Sequence, residues 1–129
     1  MIDLIEVFDR AETGPLTSET DYYMKRYVPT LTEVIARHKV KWDKETIINT
    51  DDDLTDRVFQ AAVDLLAEAG AYCPETNRVM QFTREEIVVA CQQAPKATTF
   101  GERRERKTMY GRRPDTVDCL LYTSPSPRD

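Results

Sequence analysis

The chain has 129 residues, of which 40% are hydrophobic, and a formal net charge of −5. This length is sufficient for one modest globular domain. An acidic chain has no long-range attraction for nucleic acids or anionic membranes, so the overall charge argues against both as partners. The charge is uneven, because residues 1–95 carry 10 Lys or Arg against 18 Asp or Glu, whereas residues 96–118 carry 7 against 4.

The N-terminal residues and the cysteines indicate a cytoplasmic protein. The first ten residues lack the basic start and the unbroken apolar run of a secretory signal. No apolar run approaches the roughly 20 residues that a membrane helix needs. Cys73, Cys91 and Cys119 lie far apart without a CxxC pair, which favours reduced thiols over a disulfide framework or a zinc site.

Hydrophobic spacing predicts two helices in the first part of the chain. Residues 3–13 have an amphipathic pattern with Asp3 as the N-cap, and Gly14–Pro15 ends this helix. A second helix is predicted over residues 17–38. Pro29 should kink or split it, because proline lacks an N–H and clashes with the preceding turn.

A polar linker and a long helix follow. Within residues 39–50, Trp42 and the pair Ile47–Ile48 are expected to pin the linker as apolar anchors. Residues 54–69 carry one continuous apolar stripe and therefore predict a helix packed on a core. Gly70 stands where a left-handed C-cap is needed.

The remaining elements are a hairpin, a helix and two short β segments. Residues 70–82 read as a hairpin with Pro74 to Asn77 as its turn. The run Thr83–Glu86 is a capping box that opens a helix to about Ala94. Residues 97–100 have β character, and residues 107–110 are a candidate pairing partner.

The last eleven residues, 119–129, differ in composition from the rest and have no amphipathic period. Their sequence fits codon by codon the in-frame translation of a transposase adapter used in sequencing libraries. We therefore expect the gene to be interrupted near Val117, with read-through beyond Asp118, and exclude the tail from the fold. The predicted organisation is residues 1–118 as a truncated helical and hairpin layer and residues 119–129 as a non-native tail.

Two groups of polar residues have plain structural interpretations. Asp51, Asp52 and Asp53 resemble ligands for a hard cation, but their position favours capping the 54–69 helix and complementing its dipole. His38 lies among cationic residues at a helix C-terminus, where a positive charge is ordinary dipole complementation. Neither group predicts a metal or catalytic site.

Cys91 and a strip of basic residues are the remaining candidates for functional residues. Cys91 occupies an apolar helix position and is expected to belong to the core. A strip of cationic side chains around Tyr110 suits single-stranded nucleic acid, although Glu102, Glu105 and the acidic body oppose it. The strip consists of Arg103, Arg104, Arg106, Lys107, Arg112 and Arg113. With no phosphate loop or catalytic motif present, no catalytic, cofactor-binding or metal-binding residue is predicted.

A family resemblance extends over most of residues 4–115, in order and without large gaps. The segments that carry it are residues 8–11, 14–15, 49–54, 58–66, 69–73, 76–87, 100–101 and 107–114. Together they resemble the monomethylamine methyltransferase family. One departure is Arg103, which stands where the family tends to keep a second glycine after Gly101.

The resemblance implies that the chain is the N-terminal part of a (β/α)₈ TIM-barrel enzyme. The expected fold class is an α+β fragment, mainly α-helical with a small β-hairpin. The implied activity is transfer of the methyl group of monomethylamine to cobalt in a corrinoid protein, in methylotrophic methanogenesis or anaerobic methylamine use. A pyrrolysine would carry the chemistry, and barrels place such residues at the C-terminal ends of strands.

A barrel needs about 250 residues, so we expect the catalytic groups to lie beyond this chain and the chain alone to be inactive. The resemblance also implies methylamine and a corrinoid protein as partners and a homo-oligomeric full-length enzyme. Two alternatives remain: a dimethylamine or trimethylamine methyltransferase of similar fold, and a small helical nucleic-acid-binding module.

Overall fold

The computed structural model describes residues 2–111, which are mainly α-helical with two small antiparallel sheets. The chain divides into two units, Met1–Gln92 and Gln93–Asp129. The helices are α1 (Leu4–Thr13), α2 (Glu19–Asp21), a π-helical segment (Tyr22–Tyr27), α3 (Val28–Arg37), α4 (Asp52–Ala69) and α5 (Arg84–Gln93). The strands are β1 (Ala71–Cys73), β2 (Arg78–Met80), β3 (Ala97–Phe100) and β4 (Lys107–Tyr110).

The two N-terminal helices begin and end close to where the sequence predicts. Asp3 caps α1 by accepting a hydrogen bond from the backbone N–H of Glu6 at 2.8 Å. The predicted helix over residues 17–38 is a helical run from Glu19 to Arg37. Pro29 divides it, because α3 begins one residue before the proline and a π-helical segment precedes it. The wider π turn accommodates a residue that donates no backbone hydrogen bond.

The core of the first unit lies where α1, α3 and α4 meet the first sheet. Asp51 caps α4 through its carboxylate and the N–H of Leu54, which confirms the capping role. Strand β1 then pairs with β2 in the predicted hairpin, with Tyr72 opposite Val79. The fully or nearly buried side chains are all small or medium except one tyrosine: Ala11, Tyr22, Val34, Ala61, Val63, Ala69 and Val79.

Residues 15–17 run beside β2 and extend the first sheet. The N–H of Val79 donates to the carbonyl of Pro15 at 3.1 Å, and the N–H of Thr17 donates to the carbonyl of Asn77 at 2.9 Å. These bonds attach the end of α1 to the hairpin, so the short sheet is supported from both sides. A two-stranded hairpin without such support is only marginally stable in water.

The capping box and the second hairpin are both present. The N–H of Thr83 donates to the Glu86 carboxylate at 2.8 Å, and the N–H of Glu86 donates to the Thr83 hydroxyl at 3.2 Å. In the second unit, β3 pairs with β4 in an antiparallel register that places Ala97 opposite Tyr110. Arg112, Arg113 and the predicted read-through segment 119–129 lie outside the described residues.

The prediction that the linker is pinned by apolar anchors is wrong. Trp42, Ile47 and Ile48 are 81%, 96% and 77% exposed. The linker is instead held by polar contacts, including a hydrogen bond from the Arg57 guanidinium to the carbonyl of Lys39 at 2.8 Å. Among residues 2–111, no helix is long and apolar enough to cross a membrane.

Gly70 offers a direct test of how α4 joins β1. Its φ of 71° and ψ of −174° lie in a region that is essentially restricted to glycine. A Cβ atom at this position would also lie 2.6 Å from the carbonyl oxygen of Met80. We expect Gly70→Ala to lower the free energy of unfolding by about 1 to 3 kcal/mol in urea titrations followed by circular dichroism.

Gly111→Ala is the matched control, because a Cβ there meets the Lys96 carbonyl at an ordinary 3.5 Å. Equal effects of the two substitutions would contradict the proposed strain at Gly70.

Candidate functional site

Two clusters of charged side chains connect helices that are distant in sequence. In the first, the Arg10 guanidinium of α1 forms a bidentate ion pair with Glu86 of α5, with distances of 2.9 and 2.6 Å. Arg10 also donates to Glu6 at 2.7 Å and to the carbonyl of Gln81 at 2.7 Å. Its guanidinium carbon lies 5.4 Å from the centre of the Phe82 ring, within the range of a cation–π contact.

This cluster changes the acidity of both partners. The hydrogen bond from Arg10, aided by the backbone N–H of Thr83, lowers the pKa of Glu86 from 4.5 to about 2. The same bond to Glu86 raises the pKa of Arg10 above its ordinary value. Both side chains are therefore charged across the physiological range, as suits a structural ion pair.

The second cluster contains the single histidine of the sequence. His38 caps α3, and its Nε2 atom lies 2.7 Å from Oδ2 of Asp64 on α4. Arg84, at the start of α5, pairs with the other carboxylate oxygen of Asp64 and also contacts the side chain of Gln60. One aspartate thus holds the end of α3 and the beginning of α5 against α4.

A histidine beside an aspartate can orient a catalytic base, but catalysis also needs a reacting group within reach. The side-chain hydrogen bond that His38 forms among residues 2–111 is the one with Asp64, which is not a reacting group. The sequence predicted only a cation at a helix end and missed this partner. A signal was present, since Asp64 lies three residues after Ala61 on the same side of the apolar stripe.

The remaining candidates also have structural positions. Asp51, Asp52 and Asp53 occupy the N-cap and first turn of α4. Within residues 2–111, no group of three or more His, Cys, Asp or Glu side chains is arranged to hold a metal ion. The prediction that Cys91 belongs to the core is wrong, because it is exposed. The reason is that α5 buries none of its residues fully, so its apolar pattern does not mark a covered face.

Within the described residues, Arg103, Arg104 and Arg106 of the basic strip lie in the loop of the second hairpin, and Lys107 begins β4. Arg103–Glu105 make a single 3₁₀ turn between β3 and β4, and the described part of the strip is exposed. Gly101 has a φ of 79°, and Arg103 has a φ of 47°. A left-handed conformation is costly for an arginine and free for a glycine. The backbone at Arg103 thus has the shape that a glycine prefers, as the resemblance at this position implies.

The grooves on the first unit are lined by both charged and apolar side chains. One of about 310 Å³ is lined by Ile2, Glu6, Glu85, Glu86 and Val89. Both Glu6 and Glu86 are already paired with Arg10. This groove therefore belongs to the α1–α5 ion-pair cluster, and its described lining joins no nucleophile to a base.

Solved structures of a much longer chain contain the same helices and hairpin. The crystal structure of the hydroxylamine MtmB complex matches it with a TM-score of 0.72 and 25% identity, covering 82% of this chain and 23% of that chain. The crystal structure of the Methanosarcina barkeri monomethylamine methyltransferase (MtmB) matches to the same extent. The expected fold class, a mainly helical α+β part of a TIM-barrel protein, is thereby confirmed.

Sequence comparison identifies the family. The family described as monomethylamine methyltransferase MtmB matches residues 2–124, a range that ends inside the segment 119–129. MtmB of Methanosarcina mazei is 28% identical over 103 residues, and MtmB3 of Methanosarcina barkeri is 29% identical over 103 residues. Each match covers 80% of this chain and 22% of the relative. The chain belongs to the monomethylamine methyltransferase MtmB family and spans about 22% of the length of these relatives.

The ion pair between Arg10 and Glu86 predicts a pH dependence of stability. Because the folded pKa of Glu86 is about 2 and its ordinary value is 4.5, its contribution is present above pH 4.5 and is lost as the pH falls towards 2. We expect Glu86→Gln to lower the free energy of unfolding at pH 7 and to flatten its fall between pH 4.5 and 2. Glutamine retains the capping geometry, so the substitution isolates the charge.

Glu85→Gln is the control, since the exposed Glu85 neighbours Glu86 in the same first turn. Denaturant titrations at several pH values measure both variants. An acid dependence that is the same in wild type and Glu86→Gln would contradict the assignment.

The left-handed conformation of Arg103 predicts a stabilising substitution. Arg103→Gly removes a conformational cost of roughly 1 to 2 kcal/mol in the folded loop, partly offset by the greater freedom of glycine in the unfolded chain. We expect slower amide hydrogen exchange in β3 and β4, by a factor of a few. Arg104→Gly, which lacks the positive φ, should instead speed exchange. Faster exchange in both variants would refute the expectation.

Proposed function

We propose that the full-length protein represented by this chain transfers the methyl group of monomethylamine to the cobalt of a corrinoid protein. The observation that carries the proposal is the family match over residues 2–124, joined with the structural match at a TM-score of 0.72. The relatives described above all bear the monomethylamine name, which favours this substrate over dimethylamine or trimethylamine.

The contribution of residues 2–111 to that activity is structural support. The Arg10–Glu86 pair joins α1 to α5, and Asp64 joins α3 and α5 to α4. These paired side chains fix the positions of the helices, which supports a structural contribution of the described residues. The catalytic pyrrolysine, which the family resemblance implies, would then belong to the polypeptide beyond this chain, and the chain alone would be inactive.

The cellular location, the oligomeric state and the partners follow from the same proposal. The protein would act in the cytoplasm of a methylamine-using anaerobe, as a homo-oligomer, with methylamine as substrate and a corrinoid protein as methyl acceptor. The basic loop at Arg103 to Lys107 would then contact protein and not nucleic acid, consistent with the net charge of −5. Residues 119–129 would be read-through from an adapter and not part of the natural enzyme.

The test begins with the gene. Sequencing the source locus past codon Val117 should give a frame that continues to barrel length with an internal amber codon. The full-length product is made in a pyrrolysine-decoding host and mixed with the corrinoid protein. When monomethylamine is added, the C–N bond should break with release of ammonia, and the cob(I)amide should become methylcob(III)amide, which its absorption spectrum reports. Parallel reactions with dimethylamine and trimethylamine test the substrate, and the 129-residue chain serves as the inactive control.

A natural stop codon after Asp129 would refute the read-through proposal. A full-length product that methylates the corrinoid protein only from dimethylamine or trimethylamine would refute the substrate, and one without any methyl transfer would refute the activity.

A further inference from the structure

We propose that residues 39–50, here named the apolar loop, form a docking surface for the part of the methyltransferase polypeptide that this chain does not contain. The inference rests on membership of the family and not on the reaction proposed above. The apolar loop lies inside the range matched by the family, residues 2–124.

The first argument is the exposure of large apolar side chains. Trp42, Ile47 and Ile48 are 81%, 96% and 77% exposed, although they lie within twelve residues of one polar segment. Three large apolar side chains exposed within one short segment indicate an interaction site, because leaving them in water forgoes the free energy of burial. Tryptophan is also among the residues that contribute most to binding at interfaces.

The second argument is that the apolar loop is ordered by polar contacts of its own. The Asp43 carboxylate accepts hydrogen bonds from the N–H of Glu45 at 3.0 Å and from the Thr46 hydroxyl at 2.6 Å. The Asn49 amide donates to the hydroxyl of Thr55 in α4 at 3.0 Å. These bonds restrict the backbone on either side of the exposed Ile47 and Ile48, which lowers the entropic cost of docking.

The third argument is the shape of the surface. A groove of about 310 Å³ lies beside Trp42 and is lined also by Leu54 of α4. Its other lining residues are polar and include Thr46, Asn49 and Asp51. A concave surface that combines apolar and polar side chains suits a protein partner, because it can bury an apolar side chain and hydrogen-bond to the groups around it.

The occupant follows from the length of the relatives. This chain corresponds to 22% of MtmB from Methanosarcina mazei, so most of that single polypeptide has no counterpart here. A segment joined covalently to the chain is present at high effective concentration and reaches the apolar loop before any separate molecule does. A second copy of the chain is the competing occupant, which the experiment below distinguishes.

Trp42 is the only tryptophan in the sequence and provides a specific probe. The chain is labelled with 5-fluorotryptophan and mixed with the separately expressed remainder of Methanosarcina mazei MtmB, whose cooperative thermal unfolding is first verified by circular dichroism. We expect the single ¹⁹F signal to shift and to lose its solvent isotope effect as the two polypeptides associate. Ile47→Ser should weaken the association roughly tenfold or more, because a fully exposed isoleucine would no longer be buried on docking.

The matched control is Met24→Ser, since Met24 is also an exposed apolar residue, at 66%, but belongs to the π-helical segment outside the apolar loop. Circular dichroism of both variants checks that the chain keeps its fold. Association with an unchanged ¹⁹F signal, equal weakening by both substitutions, or no association would overturn the proposal. A concentration-dependent shift of the chain alone would overturn it in favour of a second copy.

This result is independent of the proposed reaction. The ¹⁹F shift tests the docking surface alone, whereas the reaction is tested on the full-length product, so either proposal can fail while the other stands.

Discussion

The first unit depends on one reversal of the backbone at Gly70. Helix α4 ends there, and β1 begins at the next residue, which only a backbone without a Cβ can achieve at this φ and ψ. The carbonyl of Gly70 accepts a hydrogen bond from the buried Tyr22 hydroxyl at 2.8 Å. The ring of Tyr22 in turn stacks on Tyr72 at 5.3 Å. The π-helical segment, the end of α4 and the first hairpin are therefore joined at a single point.

The apolar core around Gly70 is small, and pairs of charged side chains help to determine which helices pack against each other. The residues fully buried in the first unit are mostly alanines and valines. Half-exposed ion pairs contribute little individually because water screens them, but bidentate geometry and networks make them selective for one arrangement. Arg10 with Glu86 and Asp64 with Arg84 thus define which helices are neighbours, while the core supplies the burial.

The sequence predicted the features that depend on neighbouring residues. Asp3, Asp51 and the Thr83–Glu86 capping box act within one helical turn, and their side chains meet the expected backbone groups. The hairpin with its turn at residues 74–77 also forms as predicted. Gly70 ends α4 with the expected positive φ, but its ψ of −174° is extended and not that of the predicted left-handed cap. Such signals are local, because both partners of each hydrogen bond lie in one short stretch of sequence.

The features that the sequence did not predict depend on distant residues. Arg10 and Glu86 are separated by 76 positions, and His38 and Asp64 by 26, so no window of sequence contains either pair. The predictions that Cys91 and the apolar loop are buried failed for a different reason. Periodicity identifies an apolar residue but not the surface that covers it, and in a chain with 22% of its relatives' length that surface need not be present.

The π-helical segment Tyr22–Tyr27 has a consequence for chain length. Its hydrogen bond from the N–H of Val28 to the carbonyl of Tyr23 spans five residues, one more than an α-helix uses. In an ordinary α-helix, one inserted residue would rotate all following side chains by about 100° around the helix axis. The segment therefore absorbs a single-residue insertion while keeping Tyr22 and Val34 directed at the same core. A chain one residue shorter in this segment would therefore reach the same packing with an ordinary α-helix.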